Sequence, residues 1–97
     1  MNYIFEITDK TGRKIRLTKK QWEHIIGIHS EMINYLEEMQ ETINKPIKTI
    51  FQEKGNLYRY YNYIKHRKHP EKYLRIIVKY LNNHGFILTA HFVKNLQ

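Results

Sequence analysis

The sequence predicts an α+β domain: an N-terminal β-hairpin and two helices packed on a four-stranded antiparallel meander. Three observations predict it. Apolar and polar side chains alternate with a period of two at both ends of the chain. Between Lys19 and Asn44 the apolar residues instead recur at helical spacing. After Pro46 come four β-rich runs separated by short turn signals.

At the N-terminus, Tyr3, Phe5 and Ile7 alternate with Ile4, Glu6 and Thr8, and Ile15 and Leu17 resume the alternation after the turn residues Asp9-Lys10-Thr11-Gly12. This pattern is a hairpin. Thr18 is placed to cap the next element, and Gln21 three residues on completes a capping box ahead of Trp22, Ile25 and Ile26. The first helix should end near His29, because Gly27 weakens its interior and Ser30 can start a new segment. From Met32 onward, Tyr35, Leu36, Met39 and Ile43 form an apolar stripe opposite Glu37, Glu38 and Glu41. The methionines of this second helix are core filling rather than a cofactor box.

Pro46 ends the helical region. Strands are predicted over 47–52, 57–64, 73–81 and 86–93, with tight turns at Lys54-Gly55-Asn56 and Asn82-Asn83-His84-Gly85 that pair consecutive strands antiparallel. The longer connection His66-Arg67-Lys68-His69-Pro70 is basic and reads as a surface loop able to touch a phosphate backbone. A chain of 97 residues supports one core, so residues 1–97 are read as a single domain.

Seventeen Lys and Arg against nine Asp and Glu give a net charge of +8, which favours polyanionic partners, nucleic acid first among them. With no cysteine, disulfide frameworks and thiolate metal sites are excluded. The apolar runs are far too short for a membrane span and Met1 to Glu6 does not resemble a secretory signal, so the expectation is a cytoplasmic protein without a membrane partner.

Strand alternation sorts the candidate functional residues. In the last strand Ile87, Thr89 and His91 share one face and Leu88, Ala90 and Phe92 the other, which looks like core. In the strand before it, Leu74, Ile76, Val78 and Tyr80 form the core row, leaving Arg75 and Lys79 to project with Thr89 and His91. Arg59, Tyr61 and Tyr63 likewise share a side, and tyrosines interleaved with arginine suit single-stranded RNA, whose bases stack on rings while cations hold phosphates. On the first helix, Trp22, Ile25, Ile26 and His29 fall at i, i+3, i+4 and i+7, placing His29 toward the apolar side and His24 roughly opposite.

The run Trp22-Glu23-His24-Ile25-Ile26-Gly27-Ile28-His29-Ser30-Glu31 resembles the W-x-H-I-x-x-x-H-P-E signature of phage-associated members of the Barnase, EndoU, colicin and RelE-like nuclease superfamily. Later segments resemble it in the same order: the strand begun at Pro46, Tyr58 to Tyr60, Ile76-Ile77-Val78-Lys79 as a V-V-V-K strand, and Leu88-Thr89-Ala90-His91 as a terminal T-A-Y. Ser30 stands where the pattern has proline, and His91 where it has tyrosine or phenylalanine. The resemblance implies N-terminal helices on a four-stranded antiparallel sheet and metal-independent RNA cleavage without a cofactor. It also implies a toxin or phage or mobile-element effector, with tRNA or mRNA as target and an acidic antitoxin or immunity protein as partner.

Such cleavage needs groups that take a proton from the 2′-OH, stabilise charge on phosphorus and protonate the departing 5′-oxygen. Imidazole suits the proton steps and fixed cations the phosphate. On this expectation His24 or His29 acts as base or acid with His91 as a complement. Lys79 and Arg59 serve the phosphate and Thr89 a nonbridging oxygen. RNA is held by Arg59, Tyr61, Tyr63, Arg75, Arg67 and Lys68. A metal site is disfavoured, because i and i+5 on a helix diverge by about 140°. The alternative is a non-catalytic basic module that binds RNA or an antitoxin.

Overall fold

The computed structural model describes residues 3–96. β1 (Tyr3–Thr8) and β2 (Lys14–Thr18) form the opening hairpin. Its turn is held by Asp9, whose Oδ1 accepts from Thr11 N at 2.8 Å, Thr11 Oγ1 at 2.7 Å and Arg13 N at 3.0 Å, while Gly12 supplies the positive φ of +89°. α1 (Lys19–Ile28) follows directly, then a 3-10 turn over Ser30–Asn34 and α2 (Leu36–Asn44). The remaining strands are β3 (Lys48–Gln52), β4 (Leu57–Tyr63), β5 (Tyr73–Leu81) and β6 (His84–Val93).

The sheet corrects the four-stranded antiparallel expectation. It has six strands in the order β1-β2-β6-β5-β4-β3, and β2 lies parallel to β6 through the pairs Lys14↔His84, Ile15↔Gly85 and Arg16↔Phe86. The hairpin is therefore a continuation of the sheet, not a separate layer. Its pairing satisfies backbone groups that β6 would otherwise leave at an open edge. Hydrophobic alternation sets which face of β2 is buried, but it carries no information about which strand lies beside it.

One face of the sheet carries the core. Ile15, Leu17, Leu74, Ile76, Val78, Ile87, Ala90 and Phe92 pack there against Ile25 of α1, Met32 of the 3-10 turn and Met39 and Ile43 of α2. Both helices thus cover the same side. Ile87 belongs to this core at 2% exposure, whereas the plain alternation had assigned it to the opposite face with Leu88 inside. The register between β5 and β6 shifts where Ile77↔Thr89 gives way to Val78↔Ile87, so Leu88 is the extra residue of a bulge and the phase of the strand changes across it.

The bulge also explains Gln21. Thr18 caps α1 as expected, accepting from Gln21 N at 3.1 Å. The Gln21 side chain does not turn back to complete a capping box; its Nε2 donates to the Leu88 carbonyl. β2 accompanies β6 only through Phe86, and beyond that point α1 lies along β6 in place of a strand. Among the described residues no helix is long and apolar enough to cross a membrane.

Candidate functional site

The face of the sheet away from the helices carries a transverse row contributed by four strands. Lys48 of β3 pairs with Tyr61 of β4, Tyr61 with Arg75 of β5, and Arg75 with His91 of β6. Directly opposed residues on neighbouring strands share a face, so these four side chains start from one line. At its β6 end the row is extended by His29, from the C-terminal cap of α1, whose ring centroid is 5.3 Å from that of His91 with the planes tilted by 39°. His29 reaches this position because α1 runs beside the stretch of β6 that has no strand neighbour.

Arg75 Nε donates to His91 Nε2 at 3.0 Å, and Arg75 Nη2 lies 2.6 Å from the same nitrogen. A guanidinium has no acceptor, so Nε2 must carry the lone pair and the imidazole proton sits on Nδ1. The environment favours this neutral form. Burial, then the charge of Arg75, then the neighbouring His29 push the His91 pKa down to about 4, against a small opposing effect of Glu71. His91 is a neutral imidazole at physiological pH.

Tyr61 is fully buried, and its hydroxyl has no hydrogen-bond partner among the described residues. A row that holds two histidines, an arginine and an unsatisfied buried hydroxyl is an unusual concentration of polar chemistry on one strip of sheet.

The other residues singled out by sequence fall at graded distances. Thr89 and Arg59 occupy the adjacent row, joined through Ile77, about 7 Å along the strands from His91 and Arg75. Arg59 Nη2 donates to Gln52 Oε1 at 2.8 Å. Lys79 is four residues from Arg75, roughly 13 Å along β5, and belongs to a flanking position rather than the histidine pair. On the opposite side of the row Tyr63 meets Tyr73 edge to face at 5.2 Å and is 44% exposed. His24 is exposed on the outer side of α1 and is not brought to the row.

Arg67 departs most from expectation. It is 6% exposed, not a surface-loop cation: its Nη2 pairs with Glu31 Oε1 at 3.0 Å, its Nε donates to the Glu71 carbonyl at 2.7 Å, and its guanidinium lies 3.7 Å from the Phe92 ring centroid. Its charge is consumed in tying the 64–72 connection to the 3-10 turn and β6. Lys68 beside it is exposed. Among the described residues no three His, Asp or Glu side chains gather as a metal site.

Sequence reasoning missed a second polar cluster on the helix side. Tyr80 OH donates to Asp9 Oδ2 at 3.1 Å and meets Tyr60 OH at 2.5 Å, while Arg13 stacks 3.7 Å over the Tyr80 ring and pairs with Asp9 at 3.2 Å. Burial pushes both phenols up in pKa. Burial also acts to raise Asp9, but bonds from Thr11, Arg13 and Tyr80 outweigh it and hold the carboxyl below its usual range. The only sequence signal was the Asp9-x-Thr11-Gly12 turn, which carries no hint of a tyrosine 71 positions away.

No protein-family model, curated protein or solved structure matches this chain.

Proposed function

We propose that this protein is a metal-independent endoribonuclease acting by 2′-OH attack, with the row of His29, His91 and Arg75 as its centre. The observation that carries the reading is the 5.3 Å approach of two imidazoles that lie 62 positions apart in the chain, beside an arginine on the sheet face away from the helices. Two imidazoles at that separation can serve one phosphodiester, and the fixed cation answers the charge that develops on phosphorus.

The proposed sequence of events starts with Arg75. A phosphate entering the row competes for its guanidinium, and the lone pair of His91 Nε2 is released. His91, already neutral, takes the proton of the 2′-OH as the 2′-oxygen bonds to phosphorus. The bond from phosphorus to the 5′-oxygen breaks, and His29 supplies the proton that the departing oxygen needs. The products are a 2′,3′-cyclic phosphate and a 5′-OH end. Thr89, one row along, is placed to donate to a nonbridging oxygen, and Arg59, Tyr63 and Lys79 hold the flanking nucleotides. Arg67 and His24 have no part in it. Cellular targets in this reading are tRNA or mRNA, and the basic surface would also receive an acidic inhibitor protein.

The alternative of RNA binding without chemistry is favoured by one observation, the engagement of His91 Nε2 by Arg75. The two readings separate cleanly. Incubation with RNA in excess EDTA should yield cyclic-phosphate ends, and His29→Ala or His91→Gln should lower the rate by about 100- to 10,000-fold while RNA affinity is kept. Tight RNA binding without cleavage, or cleavage abolished by chelation, rejects the ribonuclease mechanism.

A further inference from the structure

On the helix side of the sheet, between the β1–β2 turn, the end of α2 and the start of β3, lies a cavity of about 400 Å³. Its floor is apolar, from Ile43 and Ile47, and its wall is aromatic, from Tyr58 and Tyr60. The rings form a continuing ladder: Tyr58 lies 6.3 Å from Tyr60 at 21°, and 4.7 Å from Phe51, which is itself half exposed. Lys10 and Arg13 flank the opening against a single carboxylate, Asp9, whose oxygens are already engaged by Thr11, Arg13 and Tyr80.

An aromatic wall over an apolar floor selects a flat ring, and an excess of cations at the opening selects an attached anion. Base stacking on tyrosine joined to a phosphate held by lysine satisfies both demands. We infer that this cavity is a nucleotide-binding site, separate from the histidine row, that takes one base against Tyr58 with its phosphate toward Lys10. The inference does not require cleavage at the row. Lys48, on the edge strand β3, stands in register with the row and also lines the cavity, so a single RNA strand rounding the β3 edge can occupy the two together.

The test is amide-resolved NMR of the full chain titrated with each 5′-nucleoside monophosphate, with ribose 5-phosphate, and with a short 2′-O-methyl RNA that resists 2′-OH attack. Nucleotides should shift the amides of Lys10, Thr11, Thr49 and Tyr58, and ribose 5-phosphate should bind about tenfold more weakly, the loss expected for removing one base stack. Lys10→Glu, an exposed position that leaves packing untouched, and Tyr58→Leu should each weaken binding by about tenfold. His91→Gln should leave nucleotide binding intact even if it abolishes cleavage, which separates this site from the ribonuclease reading. Shifts at the cavity alone with mononucleotides identify a free nucleotide as ligand, and shifts at cavity and row together with the oligonucleotide identify RNA; both support the site. No shift at the cavity with either probe, or binding unaffected by both cavity variants, overturns it.

Discussion

Replacing Arg75 by glutamine tests how the histidine row is poised. The arginine makes two contacts to His91 Nε2, at 3.0 and 2.6 Å, and its charge opposes protonation of that ring. Two unit charges 4 Å apart interact by about 1 kcal/mol in water and about 4 kcal/mol at an effective dielectric of 20. His91 is half enclosed, so a value of ~1–2 kcal/mol applies, or about one pH unit. In Arg75→Gln the His91 pKa should climb from about 4 by roughly that amount and stop short of 6.5, because burial, the larger cause, remains. An NMR titration of the His91 ring protons reads this directly. A pKa unmoved by the substitution would show that enclosure alone keeps the ring neutral and that Arg75 does not control it.

The same shift makes stability depend on pH with a defined sign. His91 binds its proton at about 4 in the folded protein against 6.5 for the free side chain, so between those values the unfolded chain holds more protons. This contribution is complete above the unfolded pKa and disappears as pH falls through the folded one. Full conversion would give roughly 3 kcal/mol, and solvent screening of a half-enclosed ring brings it nearer ~1–2 kcal/mol. Urea unfolding at neutral and mildly acidic pH should show that loss in the wild type and a smaller one in Arg75→Gln.

Two further substitutions examine the framework. A Cβ at Gly85 would sit 2.9 Å from Ile15 Cγ1 and Tyr80 Cε1 and 3.0 Å from Val78 Cγ1, so Gly85→Ala should destabilise by ~1–3 kcal/mol in denaturant titration. Wild-type stability in that variant would contradict the close parallel approach of β2 to β6. Arg67→Ala removes an ion pair, a carbonyl contact and a cation–ring stack, and should cost about 2–3 kcal/mol of stability without weakening RNA binding, measured by unfolding and filter-binding assays. A variant of normal stability with reduced RNA affinity would return Arg67 to the binding surface.

Much of the site is legible in strand periodicity. Thr89 and His91 on one face of β6, Arg75 on the matching face of β5 and Arg59, Tyr61 and Tyr63 on one face of β4 all follow from alternation, because side chains two apart along a strand must point the same way. The choice between His24 and His29 does not follow. Both sit on α1 or its cap, and only the placement of that helix along the unaccompanied part of β6 brings one of them to His91. Arg67 misleads for a related reason: a basic loop looks solvated until Glu31, Tyr35 and Phe92, from distant segments, are found around it.

What the chain determines by itself is local: the hairpin, because Asp9 and Gly12 suit its turn; the start of α1, because Thr18 can cap it; the β5–β6 turn, because Asn82 and Asn83 accept positive φ. What the tertiary structure decides is adjacency. Backbone hydrogen bonds between strands are much the same whatever the side chains, so nothing in the local pattern of β2 or β6 announces that they lie parallel, and a single extra residue at Leu88 resets which side of β6 faces the core. The histidine pair and the aspartate–tyrosine cluster both arise from that adjacency, which is why each joins residues from opposite ends of the chain.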